Sequence, residues 1–213
     1  GARSGRGMSR NSRRIPLGRR VVLGILDRLK RVGVTLHPFL TVLEGESGPA
    51  HGASGDPRHT LRFGFLTEAD IDDLVRLEPG VDAAPLREWF REGRLCFGAK
   101  EGPRLIAKMW CDLEAFHYPP NYRRLESDEA YLYAAYADPD YRGRNLVPLM
   151  RARGYAALRE LGRERFYSYT DYFNASARRF KAKLGARNEA LRLYIELFGI
   201  WRKTLTVRRY PSG

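Results

Sequence analysis

The chain has 213 residues, 43% of them hydrophobic and 12% aromatic, and a formal net charge of +13. That length buries one good core, and the apolar content excludes a chain that stays unfolded for want of burial. The charge looks like that of a nucleic-acid-binding protein until it is located: residues 1–31 hold ten Lys and Arg against the single acid Asp27, which leaves +4 for the other 182 residues. The basicity belongs to an arm and not to the domain.

Residues 1–18 read as a disordered basic arm, rich in Gly, Ser and Arg, and those before Met8 are left out of the fold reading. "SRRIPL" at Ser12–Leu17 resembles a twin-arginine export signal. The apolar stretch after it, Val21–Leu26, is short, ends in "DRLKR" and lacks a small-residue cleavage site, so a cytoplasmic protein is expected. From Arg19 to Val32 the residues Val21, Val22, Ile25, Leu26, Leu29 and Val32 fall at helical spacing. Such a helix either packs on its own domain or docks on something acidic, a lipid headgroup or a partner protein. "TLHPFLTVLE" reads as a strand, which makes residues 19–44 an N-terminal helix-and-strand extension; residues 45–58 form a Gly-, Ser- and Pro-rich linker.

The main domain, residues 59–213, opens with the strand "TLRFGFLT". Thr67 and Asp70 then cap a helix over "EADIDDLVRL", and Pro85 and Gly93 bound a second. "RLCFGAK" and "RLIAKMWCDL" form a hairpin about Glu101–Gly102 that sets Cys96 opposite Ala107 and so keeps it from Cys111. Two buried free thiols are expected, and the four histidines, His37, His51, His59 and His117, show no metal-ligand spacing. A polar loop over Phe116–Asp128 with two prolines reads as a rigid lid. "AYLYAAYAD" is a strand buried on both faces, "LVPLMRARGYAALREL" a helix, "RFYSYT" a strand, "SARRFKAKL" a helix, and "LRLYIEL" with "WRKTLTV" a last hairpin. The order is β-α-α-β-β-β-α-β-α-β-β, a mixed α/β sheet fold with a basic helical extension. No run approaches the ~20 apolar residues of a membrane helix.

Two blocks in that order carry a resemblance. "ADPDYRGRNLVPLM" is similar to the acyl-CoA pyrophosphate loop V-x-P-x-x-R-G-x-G-x-G/A of the GCN5-related N-acetyltransferase (GNAT) superfamily. "NASARRFKAKLGA" is similar to its N-x-x-A-x-x-(aromatic)-Tyr-x-K-x-G-F, with Asn174, Ala177, Phe180, Lys183 and Gly185 in register. The resemblance covers about residues 61–207. It implies that backbone N–H groups of the loop and of the next helix's N-terminus, at Gly143, Asn145, Leu146 and Val147, hold a pyrophosphate, with Arg142 and Arg144 adding charge, Pro148 in the first helical turn and Asn174 a further cofactor contact. Backbone at Ala135, Tyr136 and Ala137 would polarise the thioester carbonyl. The chain departs from the family at Asn145 and Val147, where it has Gly and Gly or Ala, and at Lys181, where many members have a tyrosine that protonates the leaving thiolate. Asn145 tolerates the left-handed turn, and Tyr172 is the alternative acid.

For the general base the residues themselves suggest Glu129, which shares a strand face with Tyr131, Tyr133 and Ala135, with Asp112 and Glu114 as alternatives. Tyr133 and Tyr169 would line the acceptor cleft. The resemblance therefore implies a bacterial N-acyltransferase using acetyl-CoA or another acyl-CoA, acting on a small amine or amino sugar. A synthase fed by an acyl carrier protein is the alternative within the same class. The reading from a different class is a catalytically inactive binding module whose arm touches nucleic acid or membrane. Nucleic acid is disfavoured because the arm's arginines are not interleaved with aromatics.

Overall fold

A computed structural model describes residues 17–45, 61–118 and 120–211. The arm up to residue 16 and most of the linker lie outside the described residues. The elements in chain order are α1 (Leu17–Arg31), β1 (Val34–Glu44), β2 (Leu61–Leu66), α2 (Ile71–Leu77), α3 (Ala83–Arg91), β3 (Leu95–Glu101), β4 (Arg104–Asp112), β5 (Ala115–Tyr118), β6 (Asn121–Arg124), β7 (Glu129–Ala137), α4 (Leu146–Glu160), β8 (Arg165–Asp171), α5 (Ala175–Lys183), β9 (Arg187–Leu197) and β10 (Trp201–Arg209). Eight strands make one mixed sheet in the order β10-β9-β1-β8-β7-β4-β3-β2, and β5 pairs with β6 in a separate hairpin.

The expected mixed α/β sheet is present, with two differences that matter for the site. First, β1 is not outside the domain: it runs antiparallel to both β8 and β9, in the interior of the sheet. Its alternation explains this, because Leu40, Val42 and Glu44 are buried toward one face while Phe39 and Thr41 are buried toward the other. Second, the segment expected to be a loop lid is the β5–β6 hairpin, and Phe116 packs against Tyr131 and Tyr167. In that hairpin His117 opposes Tyr122 and Tyr118 opposes Asn121.

α4 covers one face of the sheet. Gly154 lets it approach β4 closely, since a Cβ there would lie 2.0 Å from the Met109 methyl group. α2 and α3 cover the other face over Trp110, with Trp89 edge-on at 4.9 Å. Asp70 accepts a hydrogen bond from the Thr67 backbone N–H at 2.9 Å and so caps this unit as expected. The cysteines are free and buried, but Cys96 opposes Trp110 and not Ala107, because the hairpin turns about Gly102–Pro103 and bulges once at Ala99/Lys100. They belong to cores on opposite faces of the sheet. No helix among the described residues is long and apolar enough to cross a membrane, and none of their His, Cys, Asp and Glu form a metal-binding group.

Candidate functional site

The sheet splits at its one parallel pair. β7 and β8 are joined at Glu129↔Arg165, Ala130↔Phe166 and Tyr131↔Tyr167, and the ladder stops there. Just past that point β7 bulges against β4: Trp110 opposes Tyr133 and Lys108 opposes Tyr136, so Ala134 and Ala135 together face Met109. Ala134 takes a left-handed backbone, φ +45°, which is uncommon for a residue other than Gly, Asn or Asp. A bulge takes backbone N–H groups out of the ladder and re-aims the chain. Both alanines are exposed.

The chain leaves β7 through a tight loop. Asp138 accepts from the Asp140 N–H at 2.9 Å and is held by Arg104 at 2.5 Å. Gly143 at φ +80° and Asn145 at φ +57° then reverse the chain into α4. Asparagine thus keeps the turn that glycine makes in the family. Val147 lies inside the helix and needs no left-handed backbone. The Leu149 N–H closes the first helical bond, to Asn145 O at 3.2 Å, which leaves the N–H groups of Leu146 and Val147 unused; Pro148 has none to satisfy.

Across from this helix start lies α5, capped by Asn174, whose Oδ1 accepts from the Ala177 N–H at 3.0 Å. The groove between the two helices has a volume of about 840 Å³. Ala135, Tyr136 and Ala137 form its floor, Arg142 through Pro148 without Arg144 one wall, and Asn174 and α5 the other. Arg142, Arg179 and Lys183 are its cations, and no carboxylate lines it. Lys183 donates to Asn145 Oδ1 at 3.2 Å and ties the walls together. The start of a 15-residue helix, free N–H groups and three cations are features that suit an anion. Arg142 rests over Tyr136, 5.6 Å from the ring centre; Arg144 instead stacks on Tyr141 at 5.4 Å, outside the groove lining. Arg179 and Lys183 were missed as ligand contacts, although Lys183 is in register with the second block.

Three expected catalytic residues are elsewhere. Lys181 is buried on the sheet side of α5, donating to Ser168 Oγ at 2.6 Å and to Thr170, 3.2 Å from the carboxylate of Glu44. Burial lowers its pKa to about 8 against the pull of Glu44. It does not line the groove, so it is not placed to meet a leaving thiolate. Glu129 is buried at the far end of β7, 2.5 Å from Arg123 and 3.3 Å from Arg165. Burial would raise its pKa, but the hydrogen bond from Arg123 and that charge keep it lowered. Six residues separate it from Ala135, about 20 Å along a strand, too far for a base. Tyr172 is exposed, edge-on to Phe173 and beneath Arg178. Of the alternatives, Asp112 is occupied by the N–H groups of Glu114 and Ala115 at 2.8 and 2.9 Å.

Tyr133 and Tyr169 do come together, through Tyr131, whose ring stacks at 4.9 Å on one and 6.5 Å on the other. Burial raises the pKa of all three phenols, so they are neutral hydrogen-bonding walls. On the same side of the split stands a pair that sequence reasoning missed: His37 Nε2 lies 2.9 Å from Asp171 Oδ2. Asp171 lies four residues past Tyr167 on β8, beyond the last pair of the β7–β8 ladder. Phe39, between them on β1, packs on Tyr169 at 5.5 Å.

The model of the acetyltransferase (GNAT) family matches residues 65–186. No curated protein matches the chain significantly in sequence. Among solved structures, a protein ascribed to the GNAT acetyltransferases from Novosphingobium aromaticivorans is 22% identical with a TM-score of 0.53; the alignment covers 78% of this chain and 66% of that one, so this chain spans about two thirds of its length. A conserved protein of unknown function from Staphylococcus epidermidis is 9% identical with a TM-score of 0.55, covering 89% and 70%. The ribosomal-protein-S18-alanine N-acetyltransferase of Escherichia coli is 16% identical with a TM-score of 0.50, covering 71% and 96%. These likenesses concern the fold.

Proposed function

Because the chain belongs to the acetyltransferase (GNAT) family, we propose that it is an N-acyltransferase that moves an acetyl group from acetyl-CoA to a primary amine of a small molecule, amino sugars included. The observation that carries this reading is the continuity of the groove, whose floor is the β7 bulge and whose wall is the cationic helix start. The pyrophosphate of CoA would sit on the N–H groups of Gly143, Leu146 and Val147 with Arg142, Arg179 and Lys183 around it. Its pantetheine arm would then run along β7, bringing the thioester to Ala134 and Ala135. CoA is favoured over a carrier protein because a carrier presents one phosphodiester, which needs fewer cations.

The amine approaches from the face lined by Tyr133, Tyr169 and His37. Its lone pair attacks the thioester carbonyl, the bulge N–H groups stabilise the oxyanion, and the carbon–sulfur bond breaks to give the amide and a thiolate. Asp171 holds the Nε2–H tautomer of His37, which leaves Nδ1 to take the proton lost by the amine. Of the phenols that line the groove, Tyr141 gives its hydroxyl proton to Glu101 and Tyr136 lies beneath Arg142, so solvent supplies the proton for the thiolate.

Calorimetry tests the reading. Arg142→Ala should weaken CoA binding about tenfold or more, since a charge-assisted hydrogen bond contributes ~1.5–3 kcal/mol. Gly143→Asp, which adds a side chain at φ +80° and a negative charge, should abolish it. Unchanged affinity in both variants, or a parent protein with no affinity for CoA, refutes the proposal. Thiol release with a panel of primary amines then identifies the acceptor.

A further inference from the structure

The turn from β9 to β10 holds apolar side chains out in solvent. Ile200 is 88% exposed, Phe198 70% and Trp201 47%. Phe198 also has a left-handed backbone, φ +52°, followed by Gly199 at φ +71°. That conformation suits Gly, Asn or Asp and strains a bulky residue. Strain kept at an exposed aromatic tip points to a use outside folding.

The tip abuts the end of α1. The Phe198 N–H donates to Gly33 O at 2.6 Å, and its ring lies where a Cβ on Gly33 would be, at 2.6 Å. Val32, beside it, is 64% exposed. At about 100° per residue, Val21, Ile25 and Arg28 share one stripe of α1; they and Val32, just past its end, are exposed. Leu23, Leu26 and Leu29 point inward instead, so the outer stripe is an apolar face that the core does not use. Around tip and stripe stand Arg28, Lys30, Arg31, Arg202 and Lys203, all exposed. The acids nearby are Asp27 and Glu196, and the latter is paired with Arg202 at 2.9 Å.

We propose that this face docks on an anionic lipid bilayer, with Phe198, Ile200 and Trp201 entering the headgroup layer and the cations meeting lipid phosphates. An apolar tip with an indole, rimmed by Lys and Arg, matches the boundary between acyl chains and headgroups, where tryptophan sits with its ring in hydrocarbon and its N–H in the polar layer. The same charges argue against a second copy as the occupant, because a twofold contact would press five cations on five. Docking goes beyond acyl transfer and stands whether or not the groove binds CoA.

Sedimentation of the full chain with vesicles tests it. Binding to phosphatidylcholine vesicles containing phosphatidylserine should exceed binding to phosphatidylcholine alone by about tenfold and fall as salt rises. Trp201 emission should shift to the blue on binding, a shift absent in Trp201→Phe. Lys203→Glu should weaken binding roughly tenfold. The double change Phe198→Asn with Ile200→Ser should abolish it; Asn suits the turn, and an unchanged cooperative thermal transition shows that the fold is intact. The proposal is overturned by equal binding to neutral vesicles, by vesicle binding that survives the double change, or by no vesicle binding at all. It also falls if the double change instead removes a concentration-dependent dimer, or a complex with an acidic carrier protein.

Discussion

Replacing Glu44 by glutamine removes the carboxylate that binds β1 to both helices of the groove. Glu44 is fully buried; it accepts from Arg151 at 3.1 Å, from the Tyr155 hydroxyl at 2.5 Å and from Ser168, and Lys181 lies 3.2 Å away. Burial alone would raise its pKa. The charges of Arg151 and Lys181 and the two hydroxyl donors prevail, and it falls from 4.5 to about 2. At 1.36 kcal/mol per unit, that shift corresponds to about 3 kcal/mol of native-state stability. The folded pKa is the lower one, so this stability is complete above pH 4.5 and is lost as pH falls toward 2. The glutamine variant also leaves two buried cations without their anion, which costs ~3–5 kcal/mol in comparable sites. Urea unfolding at pH 7 should therefore show a loss of about 3 kcal/mol or more. The steep decline of the parent between pH 4.5 and 2 should flatten. Lys181, already lowered by burial, should lose its proton more readily, so the variant gains relative stability as pH rises through neutrality. A loss below ~1 kcal/mol, or an unchanged acid limb, refutes the network as the clamp on β1.

The remaining predictions concern the split sheet. His37→Asn should cut turnover by about a hundredfold or more while leaving CoA affinity unchanged, as read by thiol release and calorimetry; undiminished turnover in the variant would remove His37 as the base. Ala134→Gly should stabilise the fold by up to ~1 kcal/mol by relieving a left-handed alanine, whereas Ala134→Val should destabilise it and slow turnover, as read by thermal melts and thiol release. Neither cysteine should react with a thiol reagent in the native protein, because burial pushes the Cys111 thiol up to about 12 and Cys96 higher still; rapid labelling without unfolding would contradict their placement.

What the sequence revealed and what it hid divide along a physical line. The turn into α4 and the start of α5 were legible because their parts act locally: a glycine and an asparagine that tolerate positive φ, a proline where no N–H is needed, an asparagine that caps α5. Lys181 was misassigned by one step of helix rotation. Phe180 and Lys183 line the groove, and a residue about 100° round from Phe180 faces the sheet instead, where Glu44 was waiting on a strand some 140 residues earlier. Glu129 was put on the correct strand face but at the wrong height, since alternation gives a side and says nothing about distance from the chemistry. The bulge left no mark beyond two alanines between tyrosines, and it shifts the parity, so that Tyr136 joins Tyr133 against the α2–α3 cluster. The place of β1 was hidden most deeply. "TLHPFLTVLE" reads as a strand from its own residues, but which strands it pairs with depends on partners far along the chain. Insertion between β8 and β9 is what brings both His37 and Glu44 to the site. The departures from the family pattern have structural explanations: Asn145 keeps the turn, Val147 sits in an ordinary helix, and Lys181 is buried against Glu44. The family pattern spans residues 65–186, and β1, which carries both His37 and Glu44, lies outside it.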